Sequence, residues 1–351
     1  MKIAVVGCGA VGSYYGACLA RAGHAVHFLL RSDYDVVRQK GVFIRSPQGD
    51  FHVQPAAART PEEIGPVDLV VIGLKSTAND QFAALLPPLV GPATAILTLQ
   101  NGLGNEEQLA RLFPVEQILG GLCFVCLNRV EPGMIHHMAH GTIALGEFRH
   151  RPKLRTHSIA AVVRESRVPC RVTDDLERTH WEKLVWNIPF NGLGVAGSAG
   201  SDCLFNHAEG RPTAASRSVA FENSGPGKAQ AMADLAIAAT GPCLTTDQLL
   251  ADTKWEQLVR ELMLEIIAAA RALGFAIPDS LANEQIEHTR TMGSYRASTL
   301  IDFERGQPLE LESLFLEPLR RARQAGLPMP RLSALCAVLT ELDRASRTQP
   351  R

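Results

Sequence analysis

Residues 1–33 read MKIAVVGCGAVGSYYGACLARAGHAVHFLLRSD, and this stretch decides the fold class. An apolar run, Ile3–Val6, leads directly into glycines at positions 7, 9 and 12, and a helical pattern then continues to Gly23. A second apolar run, HAVHFLLR, follows it. A G-x-G-x-x-G turn between a strand and a helix is the context that a dinucleotide-binding fingerprint requires. The stretch therefore predicts a cofactor-binding turn, with an ordinary tight turn as the alternative.

Each glycine of this turn has a separate expected role. Gly7 permits the tight turn, Gly9 lets the backbone approach a pyrophosphate, and Gly12 lets the helix pack close to the strand. The helix N-terminus adds N–H donors and the positive end of its dipole. We therefore assign the pyrophosphate to the turn residues Gly7, Cys8, Gly9, Ala10, Val11 and Gly12.

The residue after the second strand indicates which cofactor binds. A site for NAD usually places an acidic residue there, whereas this chain has Arg31 followed by Ser32. A guanidinium can bind a 2′-phosphate through two hydrogen bonds but offers ribose hydroxyls no acceptor. The sequence therefore favours NADP(H), although Asp33 nearby leaves NAD open.

Composition narrows the class of protein. The chain has 351 residues, 46% of them hydrophobic, so two sizeable cores are feasible. Its 35 Lys and Arg residues nearly balance 36 Asp and Glu residues, so neither nucleic acid nor a membrane is an expected partner. No segment resembles a signal peptide or a membrane span, which makes the cytoplasm the expected compartment.

The cysteines and histidines give no strong signal for a metal or redox site. Eight cysteines are scattered along the chain, too sparsely for a disulfide scaffold. Cys123 and Cys126 form a C-x-x-C pair for which we expect a buried strand, with a redox or metal pair as the alternative. His136 and His140 share a strand face without a carboxylate, so we expect no metal there.

The order of the elements predicts an α/β fold. Runs at Pro66–Lys75 and Thr94–Gly102 are nearly all apolar, as in parallel strands buried on both faces. The segment GMIHHMAHGTIALGEF, residues 133–148, predicts a hairpin-like pair with its turn near His140. From about residue 174 the patterns become helical. We expect a Rossmann-type, doubly wound parallel sheet followed by an all-helical domain.

We place the domain boundary at Val172, giving an NADP-binding domain at 1–172 and a helical catalytic domain at 173–351. Residues 197–243 are rich in Gly, Ala and Ser, so we expect an irregular insertion there, with a short helix at Ala229–Ala239. Helical patterns return at 245–273, 279–292, 308–325 and 331–345.

Two groups of polar residues stand out as a candidate site. Lys75 and Asn101 end consecutive predicted strands, at the sheet edge where open α/β sheets bind ligands. Lys183, Asn187 and Asn191 are spaced i, i+4, i+8, so they share one face of an otherwise apolar helix. Buried polar groups need partners, which makes this face a candidate for binding a small polar ligand. The alternatives are that Lys75 is a surface charge, that Asn101 belongs to a simple turn, and that Lys183 reaches water while the two amides cap neighbouring groups.

These motifs together resemble the ketopantoate reductase family, which reduces 2-dehydropantoate to pantoate with NADPH. The resemblance covers nearly the whole chain apart from residues 197–243. It rests on GCGAVG, the lysine of IGLKS, the QNG turn, the W-x-K-L-x-x-N-x-x-x-N helix and the segment ASTLIDFERGQPLELE.

The resemblance implies residue roles. Lys183 would be the general acid, and Glu310 would accept a hydrogen bond from a substrate hydroxyl or from the nicotinamide ribose and keep Lys183 charged. The cofactor residues it implies are Lys75, Asn101, Ala139 through its backbone, and Glu310. The substrate residues it implies are Asn101, Lys183, Asn187, Asn191 and Ser298.

The chain also departs from the family's pattern. Ala297 and Thr299 flank Ser298 where the pattern has Ser-Ser-Met, and Leu309 stands where it has Thr. Phe315-Leu316 replaces a usual Asn-Gly, and Gly192 stands where proline is common. The expected proton donor is intact, but we expect an altered substrate wall.

The function expected from the sequence is NADPH-dependent reduction of a 2-oxo acid, with 2-dehydropantoate as the first candidate. A reductase for another branched oxo acid and a non-catalytic NADP(H)-binding sensor are the alternatives. The sequence leaves both a monomer and a homodimer open.

Overall fold

Strand β1 (Lys2–Val6) lies inside a ten-stranded sheet, with β2 (Ala25–Leu29) on one side and β6 (Val67–Ile72) on the other. The computed structural model describes residues 1–208, 237 and 239–348. The chain forms two compact units, Met1–His180 and Trp181–Arg351. The division falls within one long helix, whereas the domain boundary proposed at Val172 precedes that helix.

The sheet belongs to the first unit. Its other strands are β3 (Val42–Arg45), β4 (Phe51–Val53), β5 (Ala56–Ala58), β7 (Val90–Thr98), β8 (Ile118–Glu131), β9 (Met134–Glu147) and β10 (Cys170–Val172). The strand order is β4-β3-β9-β8-β7-β6-β1-β2-β5, and β10 also pairs with β9. The pairs β3–β4 and β8–β9 are antiparallel, and the other pairs are parallel.

Both faces of this sheet are covered. Ile3 and Val5 belong to one buried hydrophobic cluster, while Ala4 and Val6 belong to another. Since successive strand residues point to opposite faces, the two clusters cover the two sides of the sheet. The expected doubly wound α/β fold is therefore confirmed. The short strands β3, β4 and β5 were not predicted.

The predicted hairpin at residues 133–148 is wrong. Residues Met134–Glu147 form the single strand β9, which pairs with β8 across a turn that includes Gly133 at φ +73°. His140 and Gly141 have φ values of +63° and +125°, and the β8–β9 register shifts beside them. The His-Gly pair that resembles a turn is an irregularity within a continuous strand.

The helices of the first unit surround the sheet. They are α1 (Ala10–Arg21), α2 (Tyr34–Lys40), α3 (Phe82–Leu85), α4 (Asn105–Leu109) and α5 (Leu154–Glu165). Helix α6 (Leu176–Ala196) begins in this unit and continues into the second. Between β6 and β7 the chain forms a series of short helical pieces, since Pro87 and Pro88 cannot continue a helix.

In the second unit, the regular elements among the described residues are helices. Its helices after α6 are α7 (Asp202–Ala208), α8 (Thr246–Ala251), α9 (Thr253–Ala272), α10 (Ser280–Arg290), α11 (Ser298–Glu304), α12 (Glu317–Gln324) and α13 (Pro330–Thr348). The carboxylate of Asp252 separates α8 from α9 by accepting hydrogen bonds from the backbone nitrogens of Lys254 and Trp255.

The insertion expected at residues 197–243 is only partly described. Its first part contains helix α7, where no regular element was expected. The helix expected at Ala229–Ala239 falls largely outside the described residues. None of the helices in the described ranges combines the length and apolar character that a membrane span needs.

Candidate active site

The glycine turn leaves open space at one position only among its three glycines. Gly7 has a φ of +92°, and a Cβ atom there would lie 2.3 Å from the backbone nitrogen of Leu74. A Cβ at Gly12 would lie 2.2 Å from the carbonyl oxygen of Gly7. At Gly9, no described atom outside its immediate neighbours in the chain lies within 4 Å of that point. Gly7 and Gly12 therefore form the tight turn, and Gly9 leaves room for a ligand to approach the backbone.

The neighbouring turn residues offer backbone groups to that ligand. Gly9 is the N-cap of α1, so Ala10 and Val11 contribute N–H groups of the first helical turn, which have no acceptor within the helix. The Cys8 thiol lies 3.5 Å from one carbonyl oxygen of β1 and from one of β2, and burial raises its pKa. The thiol therefore stays protonated at neutral pH. An anion here would meet N–H groups and the positive end of the helix.

Just after β2, the chain has an exposed arginine and an aspartate that is paired with another arginine. The guanidinium of Arg31 is exposed and forms no ion pair with any residue that the structure describes. The carboxylate of Asp33 is buried and paired with Arg129 of β8, whose Nε donates to Oδ2 at 2.9 Å and whose Nη2 donates to Oδ1. Ser32 also donates its hydroxyl to Asp33, at 2.8 Å. Asp33, the acidic residue that could have favoured NAD, is thus already paired with Arg129.

A second arginine lies at the end of the neighbouring strand β5. The backbone nitrogen of Leu30 donates to the carbonyl of Ala58, which places Arg59 beside the end of β2. The Arg59 guanidinium stacks 4.0 Å from the ring centroid of Tyr34 and donates to both carboxylate oxygens of Asp35. Neither Arg59 nor Arg129 was predicted to matter, because Arg59 follows an unpredicted strand and Arg129 is distant in sequence from Asp33.

Lys75 and Asn101 lie in the loops after two paired strands. Ile72 of β6 pairs with Thr98 of β7 at the carboxyl ends of both strands. Lys75 is exposed and precedes a short 3₁₀ turn, while Asn101 is half-buried in the turn that precedes α4. The structure therefore brings both loops to the same edge of the sheet.

Ala139 lies in β9 beside a buried histidine. His137 is fully buried, and its Nε2 lies 3.0 Å from the carbonyl oxygen of His140. A carbonyl can only accept, so Nε2 carries the proton and Nδ1 accepts from the Ser46 hydroxyl at 2.8 Å. Desolvation lowers the pKa of His137. The neutral imidazole thus fixes the backbone on both sides of Ala139.

In the second unit, Lys183, Asn187 and Asn191 all belong to α6, as the spacing predicted. Asn187 and Asn191 are buried, whereas Lys183 is only partly so. The continuous helix places the three side chains along one face.

Asn191 is in direct contact with Ser298. Its Oδ1 accepts hydrogen bonds from the hydroxyl of Ser298 at 3.3 Å and from the backbone nitrogen of Thr299 at 3.1 Å. Ala297 is the N-cap residue of α11 and has no side-chain oxygen. Asn191 therefore supplies the acceptor that an N-cap serine would supply, and the same oxygen holds Ser298 in place.

Glu310 is buried, with 4% of its surface exposed. It lies just before a π-helical turn, Glu312–Leu316, that leads into α12. The backbone nitrogen of the preceding Leu309 donates to Oδ1 of Asp343 at 3.0 Å, which fixes this segment against α13. The carboxylate is thus held within the second unit rather than in free solvent.

The sequence is similar to known proteins along most of its length. Residues 3–150 match the family model described as ketopantoate reductase PanE/ApbA, and residues 235–343 match the model of its C-terminal part. A 2-dehydropantoate 2-reductase of Nostoc sp. is 36% identical over 99% of this chain and 97% of its own length. The chain belongs to the ketopantoate reductase family. Solved structures agree.

The crystal structure of 2-dehydropantoate 2-reductase from Geobacter metallireducens GS-15 is similar to this ketopantoate reductase family member with a TM-score of 0.81. The two are 42% identical over 97% of this chain and 99% of that chain. The enzyme of that name from Methylococcus capsulatus has a TM-score of 0.79 and 29% identity, over 99% of both chains. The fold of a ketopantoate reductase is thereby shown.

Two departures from the usual ketopantoate reductase pattern lie against each other. A Cβ atom at Gly192 of α6 would lie 2.9 Å from Cε1 of Phe315 and 2.6 Å from Cδ2 of Leu335. Phe315 is fully buried. The larger residue at position 315 is therefore accommodated by the smaller one at 192, as core packing.

Proposed function

We propose that this protein reduces 2-dehydropantoate to pantoate with NADPH. The observation that carries this proposal is membership of the ketopantoate reductase family over nearly the full chain, together with Lys183 on the amide-bearing face of α6. A protein that only senses NADP(H) needs the glycine turn but no proton donor, so Lys183 favours an enzyme.

The residues of the first unit fit NADP(H). The open space at Gly9 and the N–H groups of Ala10 and Val11 suit a pyrophosphate. The exposed Arg31 suits a 2′-phosphate, and Asp33 is neutralised by Arg129. When bound, NADPH supplies the hydride that reduces the carbonyl carbon of the 2-oxo acid. Lys75, Asn101 and the backbone of Ala139 are the further cofactor residues we propose.

Lys183 is the residue to which we assign proton transfer. Reduction of a carbonyl leaves negative charge on its oxygen, and an ammonium within hydrogen-bond distance both stabilises that charge and donates the proton. Glu310 has the second catalytic role. Its buried carboxylate favours the charged form of the lysine and accepts a hydrogen bond from a hydroxyl of the substrate or cofactor.

The amides and one hydroxyl orient the substrate. Asn187 and Asn191 offer both donors and acceptors, which suits a ligand that carries a carboxylate and a hydroxyl. Ser298 joins them through the oxygen of Asn191. Asn101, in the first unit, is a further substrate residue that we propose.

Compartment and assembly also belong to this proposal. None of the eight cysteines forms a disulfide, which supports a reducing compartment such as the cytoplasm. We propose a homodimer, to be checked by light scattering of the purified protein.

The function is tested by following NADPH oxidation with a panel of 2-oxo acids. We expect the highest kcat/KM for 2-dehydropantoate, with lower values for 2-oxoisovalerate and 2-oxobutyrate, which lack its hydroxymethyl group. A higher kcat/KM for another branched oxo acid would mean that this compound is the substrate and that the reaction is of the same class. Negligible rates with every compound would contradict an enzyme altogether.

A further inference from the structure

Four buried side chains in the first unit form one directed chain of hydrogen bonds. The Thr98 hydroxyl donates to Oε1 of Gln100 at 2.9 Å, and Nε2 of Gln100 donates to Oδ1 of Asn79 at 2.6 Å. Nδ2 of Asn79 donates to Oδ1 of Asn105 at 2.9 Å, and Nδ2 of Asn105 donates to the carbonyl oxygen of Asn101 at 3.0 Å. Each amide thus accepts through oxygen and donates through nitrogen.

This chain joins the two loops to which we assign cofactor binding. Asn79 lies in the 3₁₀ turn that follows Lys75, while Gln100 and Asn105 flank Asn101. The two loops follow different strands, β6 and β7. Gln100 and Asn105, both in the loop after β7, are hydrogen-bonded to Asn79 in the loop after β6. Relative movement of the loops therefore breaks at least one buried hydrogen bond.

Burial makes that movement costly. Asn79 and Asn105 are 8% and 1% exposed, so water does not readily replace a lost partner. A buried amide that loses its partner bears the desolvation cost of the unpaired group, and linked hydrogen bonds reinforce one another. Two loops linked by this network therefore keep a fixed arrangement better than two independent loops would.

We propose that Asn79 and Asn105 are positioning residues that hold the Lys75 loop and the Asn101 turn in their cofactor-binding arrangement. The inference rests on the proposed function, because it takes Lys75 and Asn101 as cofactor residues. Neither Asn79 nor Asn105 is expected to touch the cofactor.

Sheet order decides which part of the cofactor responds. The loops follow β6 and β7, whereas Arg31 follows β2, and β1 lies between β6 and β2. The loops therefore bind a part of the cofactor other than the 2′-phosphate. Loss of the network should weaken NADPH and NADH by the same factor, unlike loss of Arg31.

The experiment measures the dissociation constants of NADPH and NADH, the melting temperature and turnover for Asn79→Ala, Asn105→Ala, Lys75→Ala and Gln117→Ala. Gln117 is the matched control, because its buried amide donates to the carbonyls of Gly91 and Thr94 and contacts neither loop. We expect Asn79→Ala and Asn105→Ala to raise both dissociation constants about tenfold, as for one lost buried hydrogen bond. Turnover should recover at saturating NADPH, and Gln117→Ala should lower only the melting temperature.

Two results would overturn the inference, and they differ from each other. If Asn79→Ala and Asn105→Ala lower the melting temperature with unchanged dissociation constants, as the control does, the network only stabilises the fold. If Lys75→Ala itself leaves both constants unchanged, the cofactor role assigned to that loop is wrong, and the inference is wrong with it.

Discussion

Arg129 neutralises Asp33 through two hydrogen bonds, with its Nε 2.9 Å from one carboxylate oxygen and its Nη2 in contact with the other. The pair joins β8 to the residue that precedes α2. Without Arg129, a carboxylate would stand two residues beyond Arg31, in the position that disfavours a 2′-phosphate. We therefore expect this pair to affect cofactor preference.

Arg129→Ala should weaken NADPH several-fold while leaving NADH equal or tighter, because the charge of Asp33, left without its partner, repels the 2′-phosphate that only NADPH carries. Titration of both cofactors checks this. The double variant Asp33→Asn/Arg129→Gln removes the charge and should restore NADPH binding. Unchanged preference in Arg129→Ala would show that the pair serves only stability.

Arg31→Ala should weaken NADPH by about 1.5–3 kcal/mol, the range for a hydrogen bond to a charged group. NADH binding should hardly change, because NADH has no 2′-phosphate. Calorimetric titration of both cofactors measures the difference, and Arg111→Ala is the control for loss of one exposed positive charge in the same unit. Equal weakening of both cofactors would mean that Arg31 does not contact the 2′-phosphate.

Lys183→Ala should lower turnover by roughly 10²–10⁴, the contribution of a positioned general acid. NADPH affinity should stay within a few-fold, since the glycine turn and Arg31 are intact. Stopped-flow reduction of 2-dehydropantoate and cofactor titration separate these effects. Lys254→Ala, an exposed lysine of the same unit, should retain full turnover. Near-native turnover in Lys183→Ala would remove the residue from the mechanism.

Asn191 can be tested for two roles with two substitutions. Asn191→Ala removes the acceptor at the start of α11 and should cost about 0.5–2 kcal/mol of stability, as for a lost N-cap. Asn191→Asp keeps an acceptor oxygen and should retain most of that stability. Its charge should nevertheless raise KM, because it repels the carboxylate of a 2-oxo acid. Thermal unfolding and steady-state kinetics measure the two effects, and an unchanged KM in Asn191→Asp would contradict the substrate role.

We expect the stability of the folded protein to depend on pH through His137. Burial lowers its pKa in the folded protein below the ordinary value of 6.5, so the unfolded chain binds the proton first. This contribution to stability is fully present above pH 6.5 and is lost as the pH falls from there through the folded-state pKa. Melting temperatures measured across that interval should fall less steeply for His137→Gln than for the native protein. Parallel curves would show that His137 does not titrate on unfolding.

Local patterns predicted much of the fold. The glycine turn, the buried strands β1, β2, β6 and β7, and helix α6 all depend on residues close together in the sequence. The strands β3, β4 and β5 were missed because three or four residues are too short to show a period. In β9, the sequence predicts a turn near His140, whereas pairing with β8 keeps the strand continuous through the positive φ values of His140 and Gly141.

The candidate site was predictable only as separate motifs. Spacing placed Asn187 and Asn191 on one helix face. That Asn191 meets Ser298, 107 residues later, depends on tertiary packing that no local pattern records. The same is true of Asp33 and Arg129, 96 residues apart. Resemblance supplied Ser298 as a site residue, and only the structure shows what holds it.

The outer strands of the sheet have a consequence for how the protein behaves when it is crowded. In the described part of the chain, the outermost strands β4 and β5 have three residues each. The 14-residue strand β9 pairs with β8 on one side. Its other side pairs with β3 at Met134–His136 and with β10 at Ile143–Leu145. A short edge offers few backbone groups to a second sheet. We therefore expect the folded protein at high concentration to resist edge-to-edge growth into fibrils, for as long as β3 and β10 stay in place.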